Sequence, residues 1–82
     1  MTKQEIAEKV NDFLVDEFEL EPEQITEDAL LRDRLGLESL DLVDIIVFIE
    51  KEFGFKVQPE KIVKVNTLNE LYDFILERVN IP

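Results

Sequence analysis

The chain has 82 residues, which leaves room for one small domain, and we expect that domain to span residues 1–82. Apolar residues make up 45% of the chain, which is too many for a disordered acidic tail. Its 20 acidic and 9 basic residues give a net charge of −11, which argues against binding to nucleic acid or to an anionic membrane surface.

The composition also excludes several kinds of chemistry. The sequence contains neither Cys nor His, so disulfides, thiolate nucleophiles, the commonest general base and the commonest zinc ligand are all missing. The longest apolar run, residues 45–49, is far shorter than the roughly 20 residues of a membrane span. Glu5 and Glu8 interrupt the N-terminal stretch, so we predict no secretory leader and expect a cytoplasmic monomer.

The N-terminal half predicts one helix followed by a long connection. Thr2 and Glu5 have the spacing of a capping box, and apolar residues follow at helical spacing. Pro22 ends this helix by residue 20 or 21. We expect the leucines of the connection at 21–38 to pack on the core, and Gly36 to supply a positive φ before the next helix.

The C-terminal half predicts three more helices. The second helix spans about 39–53, with Gly54 as its C′ residue. Pro59 suits the first turn of a short helix, and Thr67 with Glu70 forms a second capping box at the start of the last helix. No stretch alternates with period two. We therefore predict an all-α fold, a small bundle of three main helices plus one short helix.

The second helix has apolar residues on two sides. Its predicted core face holds Leu42, Ile46, Ile49 and Phe53, flanked by Val43 and Ile45. The opposite side mixes apolar and charged residues, namely Leu40, Asp41, Asp44, Val47, Phe48, Lys51 and Glu52. An apolar strip edged by acids is typical of a docking surface, and the alternative is that Val47 or Phe48 packs under the long connection.

Ser39 is the chain's only serine and lies where the long connection meets the second helix. The helix dipole and the unpaired N–H groups of the first turn favour a phosphate ester there. The alternative is that Ser39 only caps the helix. Residues 21–50 contain nine acids and two basic residues, whereas the charges of residues 51–82 balance, so basic partners are steered toward Ser39.

The segment 35–43, Leu-Gly-Leu-Glu-Ser-Leu-Asp-Leu-Val, resembles the signature of acyl carrier proteins. That signature reads Leu-Gly-x-Asp-Ser-Leu and is followed by an acidic, apolar helix ending in Glu-Glu-Phe. Length, acidity, helix order and the position of the serine also resemble the family. The departures are Glu38 for the usual Asp, Lys51 for an acid, Phe48 for a small residue, and the added Lys61 and Lys64.

The resemblance implies that a carrier protein synthase transfers 4′-phosphopantetheine from coenzyme A to Ser39, with Glu38 and Leu40 beside the attachment point. The thiol of this arm would carry acyl groups as thioesters for fatty acid, polyketide or related lipid biosynthesis, so the chain is a carrier and not an enzyme. The resemblance also implies an acyl cavity between the helices. Its expected lining is Ile45, Ile46, Ile49, Phe53, Ile62, Val65 and Leu71.

The same resemblance implies partners, namely acyl-transfer and condensing enzymes with basic docking patches. The expected contact residues are Asp41, Asp44, Val47, Phe48, Glu50 and Lys51. Because the departures fall on this side, we expect a carrier that serves its own enzymes rather than the housekeeping fatty acid set. Two alternatives stay open: an aminoacyl or aryl carrier of the same fold, and an unmodified acidic interaction module. A calcium-binding loop is excluded, because the acids at 21–33 lack the alternate spacing and central glycine of an EF-hand.

Overall fold

The computed structural model of the protein describes residues 2–79. In chain order it contains α1 (Lys3–Phe18), a 3₁₀ turn (Pro22–Gln24), α2 (Ser39–Phe53), α3 (Pro59–Ile62) and α4 (Leu68–Val79). The predicted all-α fold, with three main helices, one short helix and a long connection before α2, is confirmed. None of the helices in this part of the chain is long and apolar enough to cross a membrane.

Local signals begin and end the helices. At the start of α1, Thr2 Oγ1 accepts the Glu5 N–H at 3.2 Å, and Glu5 Oε1 accepts the Thr2 N–H at 2.9 Å. The hydrogen bond with the Thr2 backbone lowers the pKa of the Glu5 carboxyl below its ordinary value. The C-cap, Glu19, adopts a left-handed conformation with φ 54°, so α1 ends at Phe18, before the limit set by Pro22.

The start of α4 differs slightly from the predicted capping box. Thr67 Oγ1 accepts the Glu70 N–H at 3.2 Å, as expected. The return bond, however, runs from the Asn66 N–H to Glu70 Oε2 at 3.5 Å instead of from Thr67. The acidic side chain still satisfies a backbone donor at this helix start.

The core lies where α1 and α2 meet α4. Helix α1 packs along α4, and α2 contacts both α3 and α4. The most deeply buried side chains are Ile6, Val10, Leu14, Ile45, Ile49, Ile62, Leu68, Leu71 and Ile75. Burial of each such side chain stabilises the fold by about 1.5–3 kcal/mol relative to leaving it exposed. Tyr72 of α4 brings a polar group into this layer, and its hydroxyl donates to Asn11 Oδ1.

The long connection is tied to the start of α4. Leu30 and Thr67 form an isolated antiparallel bridge. It is bounded by a bond from the Leu31 N–H to the Asn66 oxygen at 2.8 Å and by one from the Leu68 N–H to the Ala29 oxygen at 3.1 Å. As predicted, leucines of the connection pack on the core; these are Leu31, Leu35 and Leu37. Leu30 is exposed instead. The anchored connection therefore fixes the residues that precede α2.

Candidate functional site

Ser39 is exposed and is the first residue of α2. The N-cap is Glu38, whose backbone is extended, with φ −110° and ψ 177°. The interpretation of Ser39 as the N-cap is therefore wrong. The reason is the turn at Gly36, which has φ +69° and brings Glu38 into the cap position one residue earlier.

The bonds that start α2 do not involve the Ser39 hydroxyl. Asp41 Oδ2 accepts the Glu38 N–H at 2.9 Å, and the Glu38 carbonyl accepts the Leu42 N–H at 3.1 Å. Within residues 2–79 the Ser39 hydroxyl makes no hydrogen bond, and the N–H groups of Ser39 and Leu40 have no backbone acceptor, as expected at N1 and N2. The site thus presents a free hydroxyl beside unpaired donors.

Two neighbouring hollows lie at this end of the molecule. A shallow depression of about 410 Å³ is lined by Arg32, Gly36, Leu37, Glu38 and Ser39. A more enclosed cavity of about 230 Å³ lies between the connection, α2 and the segment after α3. Its walls include Leu31, Arg32, Leu37, Leu42, Val63 and Val65. The exposed hydroxyl, unpaired N–H groups and one nearby guanidinium fit a phosphate ester on Ser39.

The residues expected to line an acyl cavity are distributed between the core and its edges. Ile45, Ile49, Ile62 and Leu71 are packed in the core. Three others, Ile46, Phe53 and Val65, are half-buried. Val65 borders the 230 Å³ cavity, which is smaller than the roughly 300–1,000 Å³ typical of ligand pockets. The lining of the acyl cavity stays a prediction.

The outer face of α2 carries an exposed apolar strip. It consists of Leu40, Val43 and Val47, which are 80%, 55% and 45% exposed, and we call these three residues the α2 strip. Val43 flanks the core face, as predicted, but it is exposed. The buried face centres on Ile49 with Leu42 and Ile45, so Val43 falls on the flank and its short side chain stays outside.

Phe48 does not belong to the α2 strip. At about 100° per residue it lies roughly 80° around the helix from Leu40, toward α1. Its ring stacks on Phe13, with centroids 4.1 Å apart, and meets Phe53 edge to face at 6.0 Å. Phe48 therefore packs at the contact between α1 and α2. The prediction that it lies on the exposed face of α2 is wrong, and so is the alternative that it packs under the long connection.

The charged residues expected to contact partners have different surroundings. Asp44 and Lys51 are exposed, and both border the same groove as Val47 and Phe48. Glu50 is half-buried, and its Oε2 accepts the Val57 N–H at 2.9 Å. The other acid, Asp41, is half-buried and holds the Glu38 N–H. Of the three acids expected to contact partners, Asp44 is therefore the one whose carboxylate makes no hydrogen bond to another described residue.

Two features near α2 were not predicted. Lys9 of α1 pairs with Glu52 of α2, Nζ to Oε1 at 2.9 Å, and that hydrogen bond raises the pKa of Lys9 above its ordinary value. Arg32 borders both hollows beside Ser39. The signal for Arg32 is present in the sequence, since Arg32 and Arg34 are the two basic residues of the acidic segment 21–50.

Comparison with known proteins shows which family this chain resembles. The family model described as "Phosphopantetheine attachment site" matches residues 8–75, a range that includes Ser39 and all of α2 and α3. An acyl carrier protein of Petrotoga mobilis is 36% identical over 81 residues, covering 99% of this chain and 95% of that protein. The likeness extends over both the site and the helices that support it.

Proposed function

The chain belongs to the phosphopantetheine-binding carrier family that includes the acyl carrier proteins, and on that premise we propose that Ser39 is its attachment residue. A member of this family is a shuttle and a substrate for enzymes, not a catalyst. The observation that carries the proposal is that the chain's single serine is exposed at the start of α2, with a free hydroxyl, inside the matched range.

The residues around Ser39 suit this role. In the transfer, Ser39 Oγ forms a bond to the pantetheine-bearing phosphorus of coenzyme A, the pyrophosphate P–O bond breaks, and adenosine 3′,5′-bisphosphate leaves. The hydroxyl proton passes to a base on the transferase. The bound arm supplies a thiol that carries acyl groups as thioesters. Glu38 and Leu40 flank the attachment point, and the unpaired first-turn N–H groups favour the phosphate.

We further propose that the partners dock on α2. The α2 strip supplies an apolar contact, and the exposed Asp44 beside it attracts arginine or lysine side chains. The net charge of −7 on residues 21–50 would steer basic patches to this face. The fitting partners are a phosphopantetheinyl transferase and the acyl-transfer and condensing enzymes.

The proposed pathway is fatty acid, polyketide or related lipid biosynthesis in the cytoplasm, with a monomeric carrier. Glu38, Lys51, Lys61 and Lys64 depart from the family pattern on or near the outer face, which supports a pathway with its own dedicated enzymes. An aminoacyl or aryl cargo is the alternative. Loading assays with acyl, aminoacyl and aryl ligases on the phosphopantetheinylated protein distinguish these cargoes.

The attachment is tested by intact-protein mass after incubation with coenzyme A and a broad-specificity transferase. Wild type is compared with Ser39→Ala and with Thr26→Ala, which removes another exposed hydroxyl from the long connection. We expect one phosphopantetheine on wild type and on Thr26→Ala, and none on Ser39→Ala. Circular dichroism should show that all three proteins are folded. Ser39 is not the cap of α2 and Thr26 is exposed, so we expect either substitution to change stability by no more than about 0.5 kcal/mol.

Other outcomes contradict the proposal in different ways. A mass gain that persists in Ser39→Ala places the arm on another residue. No gain on folded wild type with several transferases means that Ser39 is not an attachment site. The α2 strip would then belong to an unmodified acidic interaction module, whose partner binding survives in Ser39→Ala.

A further inference from the structure

We infer that Arg32 is the countercharge of the phosphodiester on Ser39 and positions that group at the start of α2. This inference rests on the proposed function and deepens it, because it assigns a role to a residue of the long connection, outside the α2 signature. Three observations carry it: the backbone bonds around Arg32, the hollow it shares with Ser39, and the charges of the segment.

Backbone hydrogen bonds hold Arg32 across from the residues that precede Ser39. The Gly36 N–H donates to the Arg32 carbonyl at 3.1 Å, and the Leu37 N–H donates to the Leu31 carbonyl at 2.9 Å. Leu31 and Leu37 are buried on either side of this turn. The Leu31 N–H is in turn bonded to Asn66, which ties the turn to the start of α4. The backbone of Arg32 is therefore fixed relative to α2, and only its side chain is free to adjust.

Arg32 and Ser39 border the same depression, together with Gly36, Leu37 and Glu38. Of these five residues Arg32 is the cation and Glu38 the anion. A phosphodiester on Ser39 adds a second negative charge to this depression, close to Asp41 in the first turn. The planar guanidinium is the side chain best suited to offset that charge, because it can donate two parallel hydrogen bonds to phosphate oxygens.

The two arginines of the acidic segment differ in their surroundings. Arg34 Nη2 donates to the Glu23 carbonyl at 3.2 Å, and the Arg34 carbonyl accepts from Gln24 Nε2 at 3.2 Å. Arg34 borders a different depression, beside Thr26 and Asp28. Within the part of the chain that the structure describes, the Arg32 guanidinium makes no hydrogen bond or ion pair. Arg32 is thus available to a phosphate, and Arg34 offers a control of equal charge in the same connection.

The experiment measures how attachment of phosphopantetheine changes the melting temperature of wild type, Arg32→Gln and Arg34→Gln. Each protein is converted enzymatically, and complete conversion is confirmed by mass. At low ionic strength we expect modification to change the melting temperature of wild type and Arg34→Gln by less than about 2 °C. Arg32→Gln should lose roughly 2–6 °C on modification, the amount expected for one surface ion pair in a small domain. The difference should vanish at 1 M salt, where the Debye length is about 3 Å.

Nuclear magnetic resonance gives a second readout that does not depend on stability. The Arg32 Nε–Hε signal of wild type should shift on modification, whereas the Arg34 signal should stay in place. Arg32→Lys keeps the charge but not the planar fork, and it should recover part of the loss in melting temperature.

Each outcome has a distinct meaning. Equal temperature changes for the two glutamine variants, or an unmoved Arg32 signal in fully converted wild type, overturn the role of Arg32 while leaving the attachment proposal intact. A folded wild-type protein that gains no mass overturns the attachment proposal, and the role of Arg32 with it.

Discussion

The rings of Phe13 and Phe48 stack across the contact between α1 and α2, with centroids 4.1 Å apart and planes 11° from parallel. Phe18 meets Phe13 edge to face, and Phe53 meets Phe48 in the same way, so four aromatic rings join the two helices. Two neighbouring residues of α2 therefore have different surroundings: Phe48 packs against α1, while Val47 lies exposed on the α2 strip.

The different surroundings of Phe48 and Val47 predict that substitution of Phe48 lowers stability, whereas substitution of Val47 weakens docking. Phe48→Ala should lower the free energy of unfolding by about 2–3 kcal/mol, because it removes a half-buried ring and an aromatic pair. Val47→Ala, at an exposed position, should change it by no more than about 0.5 kcal/mol and should instead weaken docking of the transferase. Urea unfolding checks the first effect and transferase KM the second. Equal destabilisation by the two substitutions would falsify the assignment, and Phe48→Leu, which keeps apolar volume without stacking, should fall between them.

Two acids of α2, Glu50 and Asp44, should differ in how much they contribute to the free energy of unfolding. Glu50→Ala leaves the part-buried Val57 N–H without its acceptor and should cost about 1–3 kcal/mol of unfolding free energy. Asp44→Ala should be within about 0.5 kcal/mol of wild type, because Asp44 is exposed. Denaturant titrations measure both.

The matched control for this pair is Glu50→Gln. It keeps an acceptor oxygen while removing the charge, and it should recover most of the loss if the bond to Val57 is responsible. A glutamine variant as unstable as the alanine variant would point to the charge of Glu50 instead.

Tyr72 predicts a loss of stability at alkaline pH. Burial raises the pKa of the Tyr72 hydroxyl above its ordinary value of 10.0, because the charged phenolate is disfavoured inside the fold. The unfolded chain therefore releases this proton at lower pH than the folded chain does. The contribution of Tyr72 is complete below pH 10 and is lost as pH rises through the folded-state pKa.

The variant Tyr72→Phe tests this effect. It should be less stable than wild type by about 0.5–1.5 kcal/mol near neutrality, since the bond to Asn11 is lost. Above pH 10 that difference should shrink, because phenylalanine does not titrate. Unfolding curves at neutral and alkaline pH measure the difference, and a constant gap between the two proteins across that range contradicts the prediction.

The charge of −11 predicts that salt stabilises the fold. At 0.01 M ionic strength the Debye length is about 30 Å, well beyond the 11.6 Å radius of gyration, so acids across the whole molecule repel one another. At 0.5 M salt this repulsion is largely screened, and the melting temperature should rise by roughly 4–8 °C if about 1 kcal/mol is recovered.

Divalent cations should raise the melting temperature at lower concentration than sodium does. The double variant Glu8→Gln, Asp12→Asn, which neutralises two exposed acids of α1, should melt higher at low salt and respond less to added salt. A melting temperature that is flat across ionic strength argues against self-repulsion.

Much of the fold and of the site could be predicted from sequence, because the signals lie in short motifs or in the composition of the chain. The helices begin and end through neighbouring residues: the capping box at Thr2, the cap at Thr67, Gly54 after α2 and Pro59 in α3. The helix order therefore follows from the chain itself. Ser39 is notable as a sole serine beside an acidic helix, and the signature around it carries the resemblance. Periodicity alone does not show whether Phe48 and Val43 are buried, because both lie on the flanks of α2.

Short-range spacing and net charge are enough to predict the helices, the acidic field and the candidate attachment residue. The folded molecule was needed to show which flank residues of α2 are buried, that Glu50 accepts the Val57 N–H, and that Arg32 borders the same depression as Ser39. Those placements depend on contacts between distant residues, such as Phe13 with Phe48 and Leu31 with Asn66. Such contacts join residues that are far apart in the chain, and no local pattern encodes which of them meet.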